Sequence, residues 1–154
     1  MKTGIRILLG IILFSSFACG QTSTWNQDYD KAMAEAKANG KVLLVDFSGS
    51  DWCPWCIKLD KEVFRQKAFK SYAKDALVLF LADFPRKKSL PEKTTKQNQQ
   101  LAEKFGIQGF PTVVLLNAKG ETIGQTGYLE GGADVYVKHI KELIAAAGKT
   151  TVRP

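Results

Sequence analysis

Histidine is nearly missing from this chain and cysteine is scarce: one histidine and three cysteines stand among 154 residues. That scarcity excludes much. A structural zinc site needs four ligands, and His139 cannot complete one on its own beside a cysteine pair. A disulfide scaffold needs more cysteines at wider spacing. Ile57 follows Cys56, so the C-x-x-C-H pattern of haem attachment is absent. Two-coordinate copper(I) on Cys53 and Cys56 is disfavoured, because no methionine or histidine lies near them in sequence. No metal and no cofactor is therefore expected. Internal repeats and nucleic-acid motifs are also lacking. The formal net charge is +7, but basic residues alternate with acidic ones over most of the chain. That balance aids solubility and electrostatic steering without implying a nucleic-acid partner.

No apolar run is long enough to span a membrane, which takes roughly 20 residues. The longest opens the chain. Lys2 and Arg6 form a charged start, residues 7–17 are the apolar part, and Ala18-Cys19-Gly20 is a small-residue exit. Residues 1–20 thus read as a secretory signal, and the protein as exported, periplasmic or otherwise extracytoplasmic. Two readings of Cys19 stay open. Cleavage after Gly20 removes it; alternatively it becomes a lipidated first residue, since Phe17-Ala18-Cys19-Gly20 loosely matches a bacterial lipoprotein box. The remaining body carries +5. With 45% hydrophobic residues overall, it is long enough for one domain with a core, placed at residues 21–148, followed by a loose tail at 149–154.

What is present is concentrated in Asp51-Trp52-Cys53-Pro54-Trp55-Cys56, just after the apolar run 42–47. On a helix, residues i and i+3 share a face, within reach of a disulfide whose Cα atoms sit about 5.5–6 Å apart. Pro54 suits the first helical position, where a missing N–H costs nothing. Cys53 then stands at the helix N-terminus, where free N–H groups favour a negative sulfur. A free thiol with pKa about 8.5 is only ~3% thiolate at pH 7; at pKa about 7 it is half ionised. Cys53 is the expected nucleophile and Cys56 the resolving thiol. A purely structural disulfide here would close a tiny loop and stabilise little. Asp46 lies inside a strongly apolar strand, where an acid is expensive unless it has a partner or a role. Burial should raise its pKa and make it a proton acceptor for Cys56 through water.

The rest of the chain reads as alternating elements. A helix capped by Asn26 or Asp28 runs to residue 39 and stops at Gly40, while residues 22–25 are a short strand or a linker. A strand at 41–47 is buried on both faces. A helix covers 54–63, breaks at 64–66 and resumes over 67–74. A second buried strand occupies 77–82. A polar, proline-containing basic loop follows, with Arg86, Lys87, Lys88, Lys93 and Lys96; it reads as a solvated surface loop, the alternative being a docking patch for an acidic partner. A helix at 95–105 ends at Gly106. Strands at 112–116 and 121–125 form a hairpin around 117–120. The last helix starts at Asp134 and carries His139 on its surface. This alternation implies an α/β domain: a mixed, mostly parallel sheet with helices on both faces and an antiparallel edge.

With the pieces in this order, the chain resembles the thioredoxin-fold family. The resemblance rests on Val45-Asp46-Phe47, Trp52-Cys53-Pro54-Trp55-Cys56, Phe105-Gly106-Ile107-Gln108-Gly109-Phe110-Pro111-Thr112 and Gly127, and covers about residues 31–147. It is closest to the exported bacterial subgroup similar to the C-terminal domain of periplasmic thiol:disulfide interchange proteins. The resemblance implies that Pro111 is cis, faces the cysteines and leaves the Phe110 backbone free to pair with an extended client segment. It implies substrate contacts at Trp52, Trp55, Phe110, Pro111 and Gly127, and a buried acid at Asp46. Three departures stand out. Trp55 replaces the proline of the usual C-G-P-C, Phe110 replaces a smaller aliphatic residue, and Leu79 stands where a lysine is common. The implied activity is reduction of protein disulfides through a mixed disulfide, with disulfide or dithiol proteins as clients and a membrane electron donor as the source of reducing equivalents. A dithiol oxidase or isomerase is the rival within that chemistry. A secreted binding module without redox turnover is the rival outside it.

Overall fold

The computed structural model describes residues 25–150. The leader at 1–20, Cys19 and residues 151–154 lie outside these. The elements run α1 (Tyr29–Asn39), β1 (Val42–Ser48), α2 (Pro54–Leu59), a π turn (Asp60–Phe64), α3 (Lys67–Ala76), β2 (Leu77–Asp83), α4 (Glu92–Lys104), β3 (Thr112–Leu116), β4 (Thr122–Thr126) and α5 (Gly132–Thr150).

Local chemistry sets most boundaries. Asp28 caps α1 by accepting from the Lys31 amide at 3.1 Å. Gly40 ends it at φ 63°, a left-handed conformation that costs glycine little. Pro91 fixes the entry to α4, which begins one turn before the expected residue 95. Helix α2 gives way after Leu59 to the π turn, closed by the Arg65 N–H donating to the Asp60 carbonyl. The wider turn adds a residue to the helical repeat, so consecutive Val63 and Phe64 both face the core. Helix α5 continues through the expected loose region as far as Thr150. Ahead of α1, Asn26 bridges to the edge of β2, exchanging backbone bonds with Leu79 and Leu81.

The four strands are ordered β2-β1-β3-β4. β1 and β2 are parallel, whereas β1–β3 and β3–β4 are antiparallel. The sheet is mixed as expected, but it is not mostly parallel. Thr112 pairs with Phe47, and Asp83 with Ser48. The connection through α4 thus leaves and re-enters the sheet at the same end, which forces β3 to run against β1. Alternating elements do not reveal at which end a connection returns. A register shift interrupts the β3–β4 ladder between Leu115 and Leu116.

Side chains alternate across the sheet. Leu43, Val45 and Phe47 face α1 and α4, packing with Ala36, Phe80 and Leu101. Leu44 faces the other layer, with Leu59, Val63, Phe69, Tyr136 and Ile140. Asp46 stands two residues beyond Leu44 and therefore points into that second layer, beneath α2. His139 is half-buried between α5 and β4, with Nε2 3.0 Å from the Thr126 hydroxyl, rather than free on the helix surface. Among the described residues, no helix is long and apolar enough to cross a membrane.

Candidate active site

β1 ends under the turn that carries the cysteines. The Trp52 and Cys53 amides both donate to the Gly49 carbonyl, at 3.2 and 2.9 Å, curling the chain into α2. Cys53 is the N-cap of α2, and Pro54 takes the first helical position. Cys53 and Cys56 are joined by a disulfide, with Cα atoms 5.3 Å apart. The Cys56 amide donates to Cys53 Sγ at 3.2 Å, and the Gly49 amide to Cys56 Sγ at 3.5 Å. Each sulfur therefore has a backbone donor. Both cysteines are nearly buried, at 4% and 3% exposure.

A groove of about 500 Å³ opens over Cys53. Trp52, Pro54 and Trp55 line one side, and the segment from Ile107 to Phe110 lines the other. The Phe110–Pro111 peptide bond is cis. Gly127 lies behind this segment rather than in the groove: a Cβ there would sit 3.2 Å from the Pro111 carbonyl oxygen. The Tyr136 hydroxyl donates to the Gly127 carbonyl at 3.1 Å.

The two tryptophans play different parts. Trp55 is 53% exposed. Its ring packs on Tyr128 at 5.4 Å, and Lys58 Nζ lies over both rings, at 5.3 and 4.9 Å. Trp52 is held on several sides. Its indole N–H donates to the Phe84 carbonyl at 2.8 Å, and the Arg86 guanidinium carbon lies 3.6 Å from its ring centre. A Cβ on Gly49 would come within 2.5 Å of the indole, so only glycine fits beneath it. Phe110 meets Trp52 edge-on at 6.1 Å and stacks on Phe84 at 5.0 Å.

The basic loop after β2 is therefore pinned to the site, a contact that sequence reading missed. Asp51 accepts from the Arg86 and Lys87 amides, at 2.9 and 2.8 Å, and those bonds hold its pKa below the ordinary carboxylate range. Asp83 accepts from the Ser50 amide at 3.0 Å and its hydroxyl at 2.7 Å, and pairs with Lys88 at 2.9 Å. The loop's side chains remain in solvent. Its backbone does not behave as a free surface loop, and only the two aspartates flanking it in space could have hinted at that.

Asp46 is 5% exposed, and its Oδ1 has no hydrogen-bond partner. Its pKa is pushed up to about 8, first by burial and then by the negative charges of Asp60 and Asp83. Asp60 lies one helical turn after Cys56 and so on the same face, which places the carboxyl beneath that face. Among the described residues no cation pairs with Asp46; its neighbours across the ladder are aliphatic, with Leu81 directly opposite. Tyr136 also faces it: burial raises the phenol's pKa, and the charge of Asp46 raises it further. Among the described residues no group of three or more metal-ligating side chains assembles.

Comparison with known proteins fits this geometry. Residues 29–143 match the sequence pattern of the thioredoxin-like domain family. Disulfide bond reductase DsbH of Chlamydia pneumoniae is 33% identical over 118 residues, covering 77% of this chain and 71% of that protein. Thiol:disulfide interchange protein DsbD of Vibrio cholerae is 32% identical over 96 residues, of which 62% of this chain but only 14% of DsbD takes part. A solved structure of a DsbH oxidoreductase superposes with a TM-score of 0.77 at 29% identity, covering 93% of this chain and 95% of that one. The oxidised DsbD C-terminal domain of Neisseria meningitidis shares the fold, with a TM-score of 0.55 at 18% identity over 74% of this chain and 90% of that one. The chain belongs to the thioredoxin-like domain family, as a thioredoxin-fold protein of the thiol:disulfide interchange type.

Proposed function

We propose that this protein is an exported protein-disulfide reductase in which Cys53 attacks, Cys56 resolves and Asp46 manages the proton. The observation that carries this reading is a disulfide at a helix start, open to a groove and underlain by a buried carboxyl without a partner. The name of the DsbH relative supports the direction.

In the reduced protein, the Cys53 thiolate attacks one sulfur of a client disulfide. The client S–S bond breaks, a Cys53–client bond forms, and the departing client sulfur takes up a proton. Cys56 passes its proton to the ionised form of Asp46, about one molecule in ten at pH 7 for a pKa of about 8, and attacks Cys53 Sγ. The mixed disulfide breaks, the second client sulfur leaves and takes up the proton from Asp46, and Cys53–Cys56 closes. Two electrons have moved from the protein to the client. A membrane electron donor must then return two electrons and two protons to reopen the pair. Burial lifts Asp46 from the carboxylate range up to about 8, where a carboxylate is basic enough to take a proton from a thiol near neutral pH. Trp55, Phe110 and Pro111 border the path of an extended client segment. The reading of residues 1–20 as a secretory signal supports a reaction outside the cytoplasm.

Replacing Cys56 by serine should trap client proteins on Cys53 as mixed disulfides that reductant releases. A Cys56→Ser protein that captures no disulfide protein would remove the two-step scheme. Direction is read by equilibrating the pair with glutathione. A reductase should lie nearer the thioredoxin value of about −270 mV than the strongly oxidising value of about −120 mV; the opposite placement would favour the oxidase.

Asp46 predicts a pH signature. Its pKa is about 8 when folded and about 3.9 when unfolded. Between those values the unfolded chain has lost the proton that the folded chain keeps, so stability falls as pH rises through the window and levels off above it. The slope is at most about 1.4 kcal/mol per pH unit. Asp46→Asn should therefore be more stable than the parent at pH 8 in urea denaturation, with the advantage shrinking toward pH 4. The same variant should slow client reduction by about 10²-fold at pH 7. A parallel pH dependence in parent and variant would exclude a buried, proton-holding Asp46. The mass of the mature N-terminus separates the two readings of Cys19. We expect a chain beginning after Gly20, whereas a diacylglycerol mass on Cys19 would make the protein membrane-anchored.

A further inference from the structure

The groove is flanked by unequal charge. On the Trp55 side, Lys58 lies near Glu62 and Glu130, whose charges act on it, and the Tyr128 hydroxyl donates to Glu62 at 2.6 Å. On the Trp52 side, the strap 84–91 carries Arg86, Lys87 and Lys88. Lys88 is matched by Asp83. Asp51 spends both carboxylate oxygens on the strap's backbone amides. Among the described residues, the side chains of Arg86 and Lys87 have no carboxylate within ion-pair distance.

Arg86 is also the better placed of the two. Its guanidinium lies on the Trp52 face, 3.6 Å from the ring centre, and Trp52 directly precedes Cys53. Stacking orients the guanidinium plane and leaves its edge N–H groups to meet an incoming acceptor. The backbone beneath is already fixed by Asp51, by the Phe84 amide bonded to the Ser48 carbonyl at 2.7 Å, and by the Trp52 N–H. Little ordering entropy is then lost when a client arrives. A planar fork of this kind suits a carboxylate, which it can hold through two N–H···O bonds.

We propose that the strap makes this site selective for clients whose disulfide is flanked by acidic residues, with Arg86 reading a client carboxylate beside the Trp52 face. The proposal rests on the reductase reading and names its substrate class.

The test uses the reduced full chain and three disulfides. Two are synthetic peptides, each closed by one disulfide and identical except that aspartates or lysines flank the cysteines. The third is uncharged hydroxyethyl disulfide. The acidic peptide should be reduced about tenfold faster than the basic one at low ionic strength, with the ratio shrinking as salt screens the charges. Arg86→Glu should bring that ratio to one or below, and Arg86→Lys should keep only part of it. Lys87→Glu, which leaves the Trp52 stack intact, should lower the ratio by a smaller factor. Equal rates for both peptides, with hydroxyethyl disulfide reduced, overturn the selectivity alone. A ratio that Arg86→Glu leaves unchanged does the same. If none of the three is reduced, the reductase reading falls and the selectivity with it.

Discussion

The chemistry of this protein depends on one weak bond: the Cys56 amide pointing at Cys53 Sγ across 3.2 Å. It exists because Pro54 starts a helix where Cys53 is still extended, so the free Cys56 amide of the first turn meets the sulfur. The β1 strand is what holds that geometry still. Buried on both faces, it fixes where Gly49 and the cysteine turn begin, and the Gly49 carbonyl then receives the amides of Trp52 and Cys53. A shift of β1 by one residue would turn every side chain to the other face and carry Asp46 away from α2.

The interior beneath the cysteines is unusually acidic. Among the described residues no cation pairs with Asp46, and Asp60 and Asp83 add negative potential. Ionising Asp46 is costly, which makes its carboxylate, once formed, a far stronger base for the resolving thiol than an ordinary aspartate. The arrangement lowers stability above the acid range, a trade between folding and function. Asp83 serves in both accounts, since it also anchors Ser50 and Lys88.

Much of this was legible in the sequence where local chemistry decides the outcome. Asp28 and Gly40 delimit α1, Cys53-Pro54 starts α2, and the apolar run containing Asp46 is the central strand. What escaped depends on where the chain goes after it leaves an element. The return of α4 to the same end of the sheet made β1–β3 antiparallel, which with the expected β3–β4 hairpin leaves only β1–β2 parallel. The π turn is a small redistribution of helical repeat that brings Phe64 inward, and no residue type marks it. The basic strap looked solvent-exposed because its side chains are; its attachment runs through backbone amides to Asp51, 35 and 36 positions earlier. Trp52, expected at a client-facing rim, does line the groove, but the clamping of its indole by Phe84, Arg86 and Gly49 was not legible.

The outer boundaries of the sheet have a further effect. At one margin Asn26 already occupies part of the β2 backbone. At the other, β4 is only five residues long, its ladder is interrupted opposite Leu115 and Leu116, and Thr122 and Gln125 face solvent. Short, polar and irregular margins offer poor templates for another copy's strands. Pairing of these margins with another copy's strands is therefore disfavoured.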